Sequence, residues 1–402
     1  MGGSQDLGER APCGSRRGDA AGSCEIGEST AMTFVPGTAL EFFAGIGLAR
    51  MGLEAAGWKV VFANDIDPKK LEMHKGHWGD DPAYRLADVF DIHHEEVPSA
   101  ELAWASFPCI DLSLAGNRAG LSGASSGAYW GFHRLLAQLG DRRPPIVIIE
   151  NVHGMLTSRG GADLRLILSG LNELGFTVDL LAIDAAHFVP QSRPRLFIVG
   201  LADPYLLSGD PVGESPIRPQ SVLRFRQANP EIRWGLLPTR SLPRARPPLD
   251  SFLEHFPPDA DIWWSPVDTA KLVSQMSAKH LAAVEALRPL SKLSHATVYR
   301  RVRSTGCMAE VRLDGLAGCL RTPRGGSSRQ FVLEVGRGDI RARHMTAIEY
   351  GRLQGADHFR IEVPFNQALF GFGDAVCVPA VEWLASEIRL AVGQYRGGLA
   401  VA

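Results

Sequence analysis

The chain has 402 residues, 45% of them hydrophobic, and a formal net charge of −2. That size and apolar content suit one large domain or two ordinary ones, and so small a charge neither demands nor excludes a nucleic acid as partner. The six cysteines, at 13, 24, 109, 307, 319 and 377, form no C-x-x-C pair. Zinc-like spacing is therefore excluded, no metal site is expected, and reduced thiols in a cytoplasmic protein are predicted.

Residues 1–34 are rich in Gly, Ser, Ala and charge, a composition that predicts a disordered, dispensable tail. From 35 to 202, apolar strand candidates at 39–43, 59–64, 102–106, 146–150, 178–183 and 196–199 alternate with helical patterns such as 48–56, 129–139 and 162–174. The alternation predicts an α/β fold: a Rossmann-like, doubly wound, mostly parallel sheet with helices on both faces. After residue 201 proline and arginine become frequent and the rhythm is lost. Residues 203–342 hold 20 Lys and Arg against 14 Asp and Glu, a positive surplus hidden by an acidic remainder; a solvated, arginine-rich surface fits that charge equally well. Helical patterning at 346–354 and 381–390 predicts a return to the first domain, giving expected domains at 35–202, 203–335 and 336–395. No apolar run reaches the roughly 20 residues of a membrane span, and no signal-peptide core is found near residue 1.

The first strand runs into Phe43-Ala44-Gly45-Ile46-Gly47-Leu48 and a helix. Glycines there let the backbone approach a ligand, and the helix start offers unpaired N–H groups. The next strand ends in Asn64-Asp65-Ile66-Asp67, where nucleoside-binding units place an acid for ribose hydroxyls, and Asp88-Val89 ends what reads as the strand after it. Either acid alone could be a helix cap; together they favour an adenosine site. Spacing does not separate S-adenosylmethionine from NAD.

Pro108-Cys109 follows another strand. A cysteine so placed is more often a small buried hydrophobe than a nucleophile. Its company changes the balance: Glu150-Asn151-Val152 closes an apolar strand, and Gln191-x-Arg193-x-Arg195 opens another. Ligands of open α/β sheets bind beyond strand C-termini, so a thiol and a carboxylate meet there with arginines nearby.

These motifs, with Arg343-His-Met-Thr346-Ala-Ile-Glu-Tyr-Gly-Arg352-Leu-Gln-Gly355 and Gly373-Asp374-Ala-Val376, occur in one order over about 37–392. The series resembles that of the cytosine-5 DNA methyltransferases, with a variable stretch where that family keeps its target-recognition domain. The resemblance implies a class I methyltransferase fold and S-adenosyl-L-methionine as cofactor, leaving S-adenosyl-L-homocysteine. It implies methylation at C5 of a flipped cytosine in double-stranded DNA, by a monomeric modification enzyme of a prokaryotic restriction-modification or similar defence system, nucleoid-associated, with a cognate restriction endonuclease as functional partner.

By the same resemblance Cys109 is the nucleophile that adds at C6, making C5 nucleophilic. Glu150 donates to N3 from a carboxyl whose pKa burial must raise, with Asn151 beside it. Arg195 hydrogen-bonds the cytosine O2, and Arg193 supports the pocket or a phosphate. Phe43 and Ile66 cover the adenine, Asp65 holds the ribose and Asp88 accepts from the exocyclic amine. Gly45, Ile46 and Gly47 line the methionine end, and Ala44, Leu48, Val89, Pro108, Asp374 and Val376 complete the cofactor set. Arg321, Arg324 and Arg329, in a glycine-hinged basic loop, are expected on DNA. Trp263-Trp264 reads as core packing ahead of base stacking.

Two positions depart from the pattern: Ile110 replaces glutamine, which bears on the loop that closes over DNA, and Asp374 replaces asparagine, an acid acceptable beside a sulfonium. Two other functions fit these motifs less well. A tRNA-modifying cytosine-5 methyltransferase would carry a Cys-Phe-Thr segment, absent here, and a silent DNA-binding regulator would have no use for Cys109, Glu150 and Arg195 together. No amino-methyltransferase motif of the D/N/S-P-P-Y/F type occurs.

Overall fold

The apolar runs of the first half become neighbouring strands of one sheet. In this computed structural model the described residues are Met1, 34–108, 127–211, 213–303, 306–322 and 329–399. Residues 2–33 of the tail expected to be disordered, and Cys109, Ile110 and Arg324, lie outside them, whereas Phe34 is buried in the core.

The sheet comprises β1 (Thr38–Phe42), β2 (Lys59–Asp65), β3 (Tyr84–Leu86), β4 (Leu102–Ala105), β5 (Ile146–Val152), β6 (Thr177–Asp184) and β7 (Pro194–Leu201), in the order β3-β2-β1-β4-β5-β7-β6. β1 to β5 pair in parallel, while β7 runs antiparallel to both β5 and β6. Both faces are covered, so side chains alternate between two cores, as the two-residue period of a strand requires. Leu102, Trp104, Ile146 and Ile148 join one; Ala103, Ala105, Val147 and Ile149 join the other.

Helix α1 (Leu48–Ala55) and the C-terminal α10 (Val378–Leu399) cover the first face. They pack closely at Gly52, where a Cβ would stand 2.6 Å from that of Val381. Helix α2 (Pro68–Trp78) starts at Asp67, whose side chain accepts from Lys69 N, with Pro68 in the first turn. Helices α3 (Ala128–Gln138), α4 (Ala162–Glu173) and α5 (Gln220–Ala228) line the second face. Sheet order reverses between β1 and β4, the switch point beyond which ligands of such sheets bind.

A second, antiparallel sheet follows helices α6 (Pro266–Ser274) and α7 (Ala278–Leu287). It contains β8 (Ser294–Arg303), β9 (Gly306–Arg312), β10 (Gln330–Gly336) and β11 (Asp339–His344), ordered β11-β10-β8-β9. Leu272, Met276 and Val284 close its own small core. This sheet runs past the boundary expected at 335, because β10 and β11 form one hairpin through Arg337 and Gly338, both at positive φ (55° and 84°). Residues expected in the second domain also pack with the large sheet: Tyr205, Leu207, Ile217, Leu237, Leu249 and Leu253 belong to its first core.

Helices α8 (Ala347–Leu353) and α9 (Phe365–Asp374) lead back to α10. At the start of α8, Thr346 and Glu349 form a reciprocal capping box, and Arg343, 1% exposed, forks onto both Glu349 oxygens at 2.8 and 2.6 Å. The stretch Phe365–Gly393 has the length and hydropathy of a membrane span, yet 67% of its apolar window is buried within the protein.

Candidate active site

The turn after β1 is bent to bring backbone forward: Phe43, Gly45 and Gly47 all have positive φ (59°, 58° and 87°). For the two glycines that conformation costs little, whereas at Phe43 it is strained. Asp65, at the end of β2, holds the bend. Its Oδ2 accepts from Gly45 N and its Oδ1 from Asp67 N, both at 2.9 Å. Tyr84 donates to Gly45 O at 2.9 Å, and Asn64 donates to Arg85 O and Ala87 O. Asp88 accepts from Phe90 N at 3.0 Å, and Val89 is buried beside α3. Ile66, by contrast, is 62% exposed at the strand end.

Across this turn Lys70 of α2 pairs with Asp374 at 3.4 Å. Burial pulls the Lys70 pKa down, but Asp65 and Asp374 outweigh it and the ammonium is held above its ordinary value. The acid that departs from the family asparagine therefore has a cation opposite it. The surroundings suit an adenosine joined to a zwitterionic amino acid: an exposed apolar cover at Ile66, carboxylates at Asp65 and Asp88, and one charge of each sign at Lys70 and Asp374. Residue 74, Trp78 and Glu41 lie beneath. Glu41 Oε2, both His74 ring nitrogens and Trp78 Nε1 are buried without a hydrogen-bond partner, and a Cβ on Gly47 would meet Trp78 Nε1 at 2.5 Å.

The second half of the site forms where β5 and β7 end and begin side by side. Glu150 is 7% exposed, and its Oε1 takes the Arg195 Nε at 2.9 Å. Asn151 donates from Nδ2 to Phe107 O at 3.3 Å, tying the end of β5 to the segment that leads into exposed Pro108. Glu150, Arg195, Phe197, Val376 and Cys377 line a small cavity there.

Arg193, expected to support the pocket or a phosphate, lines the same cavity. It is 3% exposed and donates to Leu320 O at 2.6 Å, to Gly373 O at 3.2 Å and to Ala375 O. A guanidinium so enclosed has no access to a phosphate; it joins the cavity wall to two distant segments. Gln191 acts likewise, donating to Leu353 O at 2.6 Å and accepting from Leu320 N at 3.1 Å.

Arg321 is exposed, and Arg329 donates to Asn366 Oδ1 at 2.8 Å. Trp264 packs on Phe331 and His344 with ring centroids 5.0 Å from each. Lys70 and Cys319 were not singled out from the sequence. A lysine one turn into α2 opposite an unusual acid, and a cysteine two residues before Arg321, were the available signals.

The family model for C-5 cytosine-specific DNA methylases matches residues 37–390. The Type II methyltransferase M.NgoBI of Neisseria gonorrhoeae is 25% identical over 347 residues, 85% of this chain and 90% of that protein. The Type II methyltransferase M.HaeII of Haemophilus aegyptius is 25% identical over 353 residues, 87% and 92%. Among solved structures, the S. pombe Dnmt2 methyltransferase shares the fold at 16% identity and a TM-score of 0.56, over 88% of this chain and 99% of that one.

Proposed function

The chain belongs to the C-5 cytosine-specific DNA methylase family, and we propose that it methylates C5 of a cytosine flipped out of duplex DNA through a covalent bond between Cys109 and C6. Members of this family use S-adenosylmethionine, whose sulfonium supplies an electrophilic methyl group. The observation that carries the reading is the Arg195–Glu150 pair, set where the Asn151–Phe107 hydrogen bond brings in the chain leading to Pro108 and Cys109.

Cytosine C5 is too weak a nucleophile to take a methyl group unaided. Addition of the Cys109 thiolate at C6 pushes electrons to C5, and a proton delivered to N3 by Glu150 stabilises the ring as they move. Arg195 holds the O2 edge. Loss of the C5 proton then expels the thiolate and restores the aromatic ring. The base must leave the helix to reach this cavity.

In this reading Phe43 and Ile66 flank the adenine and Asp65 and Asp88 take its ribose and amine, with Ala44, Gly45, Ile46, Gly47, Leu48, Val89, Pro108 and Val376 as the nearby walls. Lys70 and Asp374 face the amino-acid end, and Arg193 acts as a brace for Arg195. The second sheet with α6 and α7, together with Arg321, Arg324 and Arg329, faces DNA. A role as the modification partner of a restriction endonuclease follows from the resemblance to Type II enzymes. Tritiated methyl transfer to duplex DNA and to tRNA tests the substrate: label enters DNA, whereas label in tRNA alone overturns the reading.

A further inference from the structure

Cys319 lies after β9, half-buried in the segment that reaches Arg321. Its sulfur is 3.5 Å from Arg193 Nη1 and 4.0 Å from Arg195 Nη2. Arg195 therefore reaches Glu150 with Nε and the sulfur with an outer nitrogen. Arg193 is fixed by backbone carbonyls of residues 320, 373 and 375, so the sulfur stands between one locked guanidinium and the one paired with Glu150.

The charged groups around it come from three places: Arg195 from β7 with Arg193 just before it, Arg321 from its own segment, and Glu150 from β5 across Arg195. Burial pushes the Cys319 thiol up, but the three arginines outweigh burial and bring it down to about 7. Cys377, near the same two arginines, is pushed up by burial to about 12 and stays a thiol.

We propose that Cys319 is a positioning residue for methyl transfer: its sulfur holds the outer nitrogen of Arg195 while Glu150 holds Nε, fixing the guanidinium plane at the base cavity. The inference rests on the reading of Glu150 and Arg195 given above. A charged acceptor binds about twice as strongly as a neutral one, so the grip on Arg195 tightens as the thiol ionises. Serine offers the same hydrogen bond without the charge, and alanine offers neither.

Two measurements test this. In Cys109→Ser protein, which removes the proposed nucleophile, iodoacetamide alkylation of Cys319 is followed against pH by peptide mass spectrometry. The midpoint falls near 7, and Arg195→Gln moves it upward by about one unit. In protein with Cys109 intact, Cys319→Ser lowers single-turnover methyl transfer to duplex DNA about tenfold, because the hydrogen bond to Arg195 then has a neutral acceptor in place of a charged one. It also removes a component near pH 7 from the rate profile and leaves the cofactor KM unchanged. An alkylation midpoint at about 8.5, the ordinary thiol value, insensitive to Arg195→Gln, overturns the proposal. So does a Cys319→Ser rate profile that superimposes on the wild type. If Arg195→Gln methylates at the wild-type rate, the base-cavity reading fails and the role of Cys319 with it. The alkylation shift still reports the Arg195–Cys319 contact, so the two failures are told apart.

Discussion

Arg195 Nε meets Glu150 Oε1 at 2.9 Å across two strands that run in opposite directions. The antiparallel placement of β7 makes this possible: its N-terminal end lies beside the C-terminal end of β5, so a residue opening one strand touches a residue closing the other. Glu150→Gln is expected to lower kcat by about 10²–10⁴-fold, the range of a lost general acid. Cofactor affinity should be retained, as read by isothermal titration calorimetry. Equal losses of transfer and cofactor binding would mean that Glu150 acts on the fold rather than on the base.

Arg193→Met should destabilise the protein more than it slows a folded fraction. It would leave the carbonyls of residues 320, 373 and 375 without their donor, and a buried polar group left unsatisfied costs about 1–3 kcal/mol. Lysine should not restore stability, since a single ammonium does not reproduce a fork that serves two chain segments. Denaturant midpoints of the two variants measure this.

Lys70 and Asp374 should behave as a unit in cofactor binding. Asp374→Asn is expected to weaken binding more when Lys70 is present than in a Lys70→Ala background. The pair is partly exposed, so solvent screening holds the coupling to about 0.5–1 kcal/mol. Titrations on the four proteins of the double-mutant cycle give the value, and simple additivity would show that the two charges act separately.

Stability should depend on pH through two buried groups beneath the glycine turn. Burial pushes Glu41 up to about 8 from 4.5 and His74 down to about 4 from 6.5. Below about 4.5 Glu41 is protonated in folded and unfolded chains alike and contributes fully; that contribution is lost as pH rises through about 8. His74 has the opposite sign: its contribution is present above 6.5 and lost as pH falls through about 4. Glu41→Gln should therefore gain about 1 kcal/mol or more relative to wild type between pH 5 and pH 8, measured by urea unfolding.

The strands of the large sheet were legible because strands covered on both faces read as apolar runs, and 146–150 and 196–199 are such runs. Their direction was not: an apolar run carries no sign of whether it pairs parallel or antiparallel, so the β5–β7 contact came from the structure alone. β8 and β9 were missed because strands such as SHATVYRRVR mix polar and apolar residues without a clean alternation. Within the site, Glu150 and Arg195 were placed at the right strand ends, but spacing does not say that, of the two arginines lining the cavity, Arg193 is locked by the backbone while Arg195 pairs with Glu150. Backbone acceptors at 320, 373 and 375 decide that, and they are more than a hundred residues away in sequence. Cys319 stayed hidden for the same reason: only folding brings β7 against it.

Duplex DNA in which cytosine is replaced by 5-fluorocytosine tests the central claim most directly, because fluorine at C5 cannot leave as the proton does and the adduct persists. With S-adenosylmethionine present, the wild-type protein is expected to form a denaturation-resistant complex with this DNA, linked through Cys109 in peptide mass spectrometry, and Cys109→Ala to form none. A Cys109→Ala protein that still forms the complex, or still methylates ordinary duplex DNA, would contradict covalent catalysis by this residue.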